Sequence, residues 1–130
     1  MITKETSDSL IQAYRQIQNA EMELSRPQED VVTLSVCQSA RNSMKQMMRT
    51  YLSAHSIQFY DYSSLNDLLD LCVTANGAFS AVDFTNIDCK DKDHANCDGK
   101  YCTSIENVTY CINKAGQMKE IVWQEFNITE

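Results

Sequence analysis

The chain has 130 residues, 43% of them hydrophobic and 22% charged, and carries a formal net charge of −7. That length supplies one domain with a core of its own, and the acidic balance is hostile to wide, sequence-blind contact with a phosphate backbone, although a local basic stripe could still meet nucleic acid. Three glycines and one proline leave too few turns for a sandwich or barrel.

The first helix is expected over Thr6 to Leu24, where Leu10, Tyr14, Ile17, Ala20 and Leu24 return at helical spacing. Pro27 stops it, because proline cannot continue a helix and restricts the residue before it. The second helix is expected from Glu29-Asp30, acids that suit the positive end of a helix dipole, to about His55. It is the longest element. Val36, Cys37, Ala40, Met44, Met47, Met48, Tyr51 and Leu52 give it one apolar stripe.

Ser64-Leu65-Asn66-Asp67 has the form of a capping box and opens a third helix carrying Leu65, Leu68, Leu69, Cys72 and Ala75. Asn76-Gly77 is expected to cap its end. The following AFSAVDFTNI fits either a short extra helix or an ordered loop, and the segment from Asp88 to Tyr101 is polar, turn-rich and expected to be irregular. The last helix is expected from Ser104 to Phe126, with Ile105, Val108, Cys111, Ile112, Ala115, Met118, Val122 and Phe126 inward. No internal repeat appears, so residues 1–130 read as a single all-α domain: an up-down four-helix bundle with a long Cys/Asp-rich loop before the last helix.

The second helix, with its run CQSARNSMKQMM, the exit SIQF (Ser56 to Phe59) and the start of the third helix at Ser64-Leu65 and Asp67-Leu68-Leu69 together resemble the HEPN domain. That family is a small all-α module often found beside minimal nucleotidyltransferases. The resemblance implies a HEPN-like fold, a homodimer, and a nucleotidyltransferase-like partner or a nucleotide ligand, in a toxin–antitoxin or defence setting. Ser64 stands where the family often has His at the opening of the third helix. Ribonuclease members carry Arg followed four to six residues later by His near the start of the final helix. NCDGKYCTSIENV, the corresponding region here, contains neither, so the resemblance carries over no active site.

Arg49 and His55 do have an Arg-x5-His spacing, at the end of the second helix. Histidine as general acid or base and arginine steadying a phosphate charge would make an RNA endonuclease. Six helical steps turn through about 600°, however, so the two side chains diverge unless the helix ends between them. Arg41, Lys45 and Arg49 recur at four-residue spacing along one face of the same helix. Such a stripe could hold a nucleotide phosphate, and its default reading is a solvated helix exterior.

Six cysteines divide into two groups. Cys37, Cys72 and Cys111 fall on the apolar faces of helices, where a reduced cysteine acts as a small buried hydrophobe. Cys89, His94, Cys97 and Cys102 give C-x4-H-x2-C-x4-C, a donor set suited to tetrahedral zinc although the gaps match no zinc knuckle. Free or oxidised thiols are the alternative, and a zinc-stabilised or redox-responsive protein is the function that would follow from the loop. The neighbouring aspartates lack the order of a calcium-binding EF-hand loop, no Gly-rich phosphate loop exists, and no Glu-x-x-His supports a di-iron bundle.

The opening MITKETSDSL lacks the basic start and apolar stretch of a secretory signal, and no run reaches membrane-spanning length. The expectation is a cytoplasmic protein without membrane contact, so the sequons at Asn107 and Asn127 would stay unmodified. Tyr60, Tyr62, Phe79, Phe84 and Trp123 offer more large apolar groups than a four-helix core readily covers, which predicts self-association.

Overall fold

Residues 3–84, 87 and 104–128 are described by the computed structural model. Four α-helices carry the described fold: α1 (Lys4–Leu24), α2 (Thr33–Ala54), α3 (Leu65–Ala75) and α4 (Ile105–Phe126). No strand occurs among the described residues, and none of these helices is long and apolar enough to cross a membrane.

α1 opens two residues earlier than the apolar pattern predicts, because the Thr3 hydroxyl accepts from the Thr6 N–H at 3.1 Å and caps it. α1 and α2 lie antiparallel. Ser43 of α2 donates to the Ala13 carbonyl at 2.7 Å, Gln46 donates to the Ser9 carbonyl at 2.9 Å, and the Ser9 and Thr50 hydroxyls meet at 2.8 Å. Residue numbers therefore fall along α1 as they rise along α2.

Glu29 and Asp30 do not open α2, contrary to the dipole argument. They sit in a single 3-10 turn, Gln28–Asp30, and α2 starts at Thr33. The β-branched pair Val31-Val32 stays extended, and the Glu23 carboxylate accepts from the Val32 N–H at 3.0 Å. That bond satisfies an amide at the helix entrance from outside the helix.

The chain leaves both α2 and α4 through a residue in the left-handed region, Ser56 at φ 58° just past the His55 cap and Asn127 at φ 55°. After α2, Ile57 N–H reaches back to the Leu52 carbonyl at 2.8 Å and Ser56 N–H to that of Ser53 at 3.1 Å. This is the paired pattern that glycine usually serves. Ile57 and Ile128, each one residue further on, pack against the core.

The capping box of α3 forms as the sequence indicates: Asp67 N–H donates to the Ser64 hydroxyl at 3.1 Å, and Ser64 N–H to the Asp67 carboxylate at 3.4 Å. Asn76 caps the end of α3 as expected, its N–H donating to the Cys72 carbonyl at 2.8 Å, although not in the left-handed conformation. Asn76 has extended backbone (φ −151°) and caps the 3-10 turn Gly77–Ala81 that follows, its side chain accepting from Ala78 N–H at 3.0 Å. The stretch after α3 thus begins as a short extra turn.

Asn76 also donates to the Glu125 carboxylate at 2.8 Å, and Tyr51 packs on Phe79 and Phe126 with ring centroids 4.9 and 5.9 Å apart. α2, α3 and α4 therefore finish at one end of the molecule. Strict up-down alternation would have α3 finish at the other. The link 55–64 explains the departure, since it doubles back along α2 and brings the Asp61 carbonyl within 2.7 Å of Arg49.

α2 touches each of the other three helices, and α1 also meets α4. Val36, Ala40, Met44, Met47 and Met48 of α2 fill the centre with Leu10, Ala13 and Ile17 of α1 and Val108, Ala115 and Met118 of α4. Phe79, Phe84 and Trp123 belong to this core too.

Candidate functional site

Arg41, Lys45 and Arg49 do follow one another along α2, yet the stripe is not a solvated exterior. Arg41 is only 5% exposed, and Lys45 and Arg49 are half-buried. Spacing predicts that the three share a face, and it says nothing about which neighbours close over it. Arg49 is held by the link: its Nη2 donates to the Asp61 carbonyl at 2.7 Å, and its guanidinium lies 6.0 Å from the Phe59 ring centre. A charge-assisted bond of this kind anchors a loop more strongly than a neutral one.

His55 stands just beyond the last residue of α2, so the helix does end between Arg49 and His55. The two side chains nevertheless go different ways. The His55 ring lies against Tyr51 at 4.4 Å and stacks near Phe126 at 6.1 Å between centroids. It lines a depression of about 290 Å³ with Thr3, Thr6, Ala54, Glu125, Phe126 and Asn127. Arg49 lines a second depression of about 240 Å³ with Glu5, Thr6, Ser9, Thr50 and Ser53. A phosphoryl centre needs acid, base and cation around one atom, and Thr6 alone lines both depressions.

A polar tie beneath His55 has no counterpart in the sequence reading. Burial raises the pKa of the Tyr51 phenol; a hydrogen bond from the Asn76 side chain lowers it, and the nearby Glu125 charge raises it further. Asn76 in turn holds Glu125. Tyr51, Asn76 and Glu125 come from α2, the end of α3 and α4, so no local spacing could reveal them. The arrangement keeps the phenol protonated and fastens three helix ends together.

Cys37, Cys72 and Cys111 are buried as their apolar positions predict, and none of the three is in a disulfide. Burial pushes the Cys72 thiol up to about 12, which leaves it inert as a nucleophile near neutral pH. Cys89, His94, Cys97 and Cys102 lie outside the described residues. Among the described residues no group of three or more His, Cys, Asp or Glu side chains is placed to hold a metal ion.

The aromatic residues expected at an interface separate into two classes. Phe79, Phe84 and Trp123 are core residues, which removes them from any contact surface. Tyr60 and Tyr62 are 66% and 80% exposed, and their rings stack with centroids 5.1 Å apart and planes 13° apart. Among the described residues Met22, Val32 and Leu34, around the turn between α1 and α2, are the other large apolar groups about half or more exposed.

No family model, curated protein or solved structure matches the chain.

Proposed function

We propose that this chain is a non-catalytic, HEPN-like helical binding module that works as a homodimer and engages a nucleotidyltransferase-like partner or a nucleotide. The observation that carries the reading is the separation of Arg49 from His55. One braces the link through the Asp61 carbonyl, and the other rests on Tyr51 and Phe126 above a different depression. With its nuclease candidates engaged apart, the module acts by binding. The all-helical arrangement is in keeping with the family resemblance of residues 31–72.

Self-association draws its support from the exposed apolar residues Met22, Val32 and Leu34, since three of the five aromatics first considered are internal. Apolar groups clustered at one turn are a common nucleus for a two-fold contact.

The test has two arms. Purified chain incubated with single-stranded RNA is expected to leave it intact. Cleavage abolished by both Arg49→Ala and His55→Ala, with folding retained, would replace this reading with an RNA endonuclease. Light scattering is expected to give twice the chain mass, and a monomer mass at high micromolar concentration removes the dimer from the proposal.

A further inference from the structure

The link between α2 and α3 presents a surface that the fold does not use. Tyr60 and Tyr62 are the most exposed aromatic residues described, at 66% and 80%, and they stack on each other rather than on the core. Two large rings left in water are the kind of group that interfaces recruit, because a rigid aromatic buries much area for little lost entropy. Asp61 lies between them in the chain and is exposed. Its backbone carbonyl accepts from Arg49 at 2.7 Å, which fixes the link without using the carboxylate. Tyr60 N–H donates to the Ser63 hydroxyl at 3.2 Å, which further sets the turn.

Charge identifies the occupant. From Thr50 to Phe84 the sequence contains no lysine or arginine, while Asp61, Asp67 and Asp70 are all exposed. Asp67 and Asp70 stand three apart on α3, on the side opposite the buried Leu65, Leu68, Leu69 and Cys72. The first turn of α3 follows Tyr62 directly through the Ser64 cap, so the acidic strip comes next along the chain after the tyrosine pair. The Asp67 carboxylate also accepts from Ser64 N–H, and the guanidinium of Arg49, the nearby arginine, is engaged by the Asp61 carbonyl. The exposed side chains from Tyr60 to Asp70 include two tyrosines and three aspartates and no cation.

We propose that Tyr60, Asp61, Tyr62 and the Asp67–Asp70 side of α3 form a docking surface for an arginine-bearing peptide segment of a partner protein; this rests on the binding-module reading and names the chemistry of its partner. Guanidinium groups stack on tyrosine faces and form paired hydrogen bonds with carboxylates, so one side chain type satisfies both features. A nucleic acid meets like charge here. A second copy joined by two-fold symmetry sets this patch against itself, bringing Asp61 of each copy toward the other.

The probe is a fluorescein-labelled peptide of alternating arginine and serine, followed by fluorescence anisotropy on the full chain. Binding is expected, and both Tyr60→Ser/Tyr62→Ser and Asp61→Asn/Asp70→Asn should weaken it about tenfold or more. Asp61→Asn retains the backbone carbonyl that Arg49 holds. Glu29→Gln/Asp30→Asn removes the same charge from the exposed turn between α1 and α2, and is expected to change affinity less than about twofold. Circular dichroism and melting temperature of each variant should match the parent.

Four outcomes overturn the proposal: no binding, tyrosine variants that bind as the parent does, equal weakening by the two charge pairs, or tyrosine variants that instead halve the particle mass. The third reduces the effect to the overall field of an acidic chain. The fourth assigns the surface to a second copy. Failure of the module reading itself would appear as Arg49- and His55-dependent RNA cleavage, which none of these binding measurements can produce.

Discussion

The Ser43 hydroxyl donates to the Ala13 carbonyl across 2.7 Å inside the interface of α1 and α2, where Ser43 is fully buried. Apolar neighbours Leu10, Met44 and Met47 can slide along a helix interface, whereas this bond admits one register. Ser43→Ala is expected to lower stability by about 1 kcal/mol, the net worth of a buried neutral hydrogen bond. Urea denaturation checks it. The midpoint should fall with the slope unchanged, and a midpoint equal to the parent's would show that the bond contributes nothing.

Ser56 holds φ 58° to close α2, a conformation that costs a side chain with a Cβ about 1–2 kcal/mol. Ser56→Gly is expected to raise stability by about 1 kcal/mol, less than the full strain because glycine gains freedom in the unfolded chain. Asn127→Gly, at φ 55°, should yield less, since asparagine tolerates this region. Thermal melts of the two variants should rank in that order.

Gly116 lies within α4, and a Cβ added there meets no heavy atom of the described residues within 4 Å outside its own stretch of helix. Gly116→Ala is therefore expected to stabilise the chain by about 0.5–1 kcal/mol through helix propensity alone. A destabilised variant would mean that something beyond the described neighbours packs against α4 at this position.

Alkaline pH should weaken the fold through Cys72. Its thiol ionises in the unfolded chain near the ordinary 9.0 but in the folded chain at about 12, so above pH 9 the unfolded state binds fewer protons. The associated stability is intact below pH 9 and is lost as pH rises toward 12, at up to about 1.4 kcal/mol per pH unit for one group. Tyr51, also raised by burial, acts in the same direction. Cys72→Ala should show a shallower fall of the urea midpoint between pH 9 and 10.5 than the parent, whatever its stability at pH 7. Parallel curves would contradict the assignment.

Arg49→Ala should release the link. Loss of its bond to the Asp61 carbonyl is expected to cost about 1–2 kcal/mol, the range for a charged donor discounted for partial exposure. Amide exchange at residues 57–63 should accelerate more than in α1. Uniform acceleration through both segments would show that Arg49 supports the whole fold.

What the sequence determined by itself is local. Helical periodicity located the cores of four helices, the Ser64–Asp67 capping box started α3 where expected, and apolar neighbours buried Cys37, Cys72 and Cys111. Each of these depends on residues within a turn or two. Tertiary structure decided whatever depends on which elements meet. The same four-residue spacing suits an arginine in water or one covered like Arg41, and Phe79, Phe84 and Trp123 looked spare until the helix ends closed over them. Likewise Arg49 and His55 have a catalytic spacing that the link and α4 pull apart, while Asn76 and Glu125 are joined across a sequence gap that no periodicity spans. Spacing records the pitch of one helix; burial and partnership depend on the neighbours that helix acquires, and those are set by the packing of the whole chain.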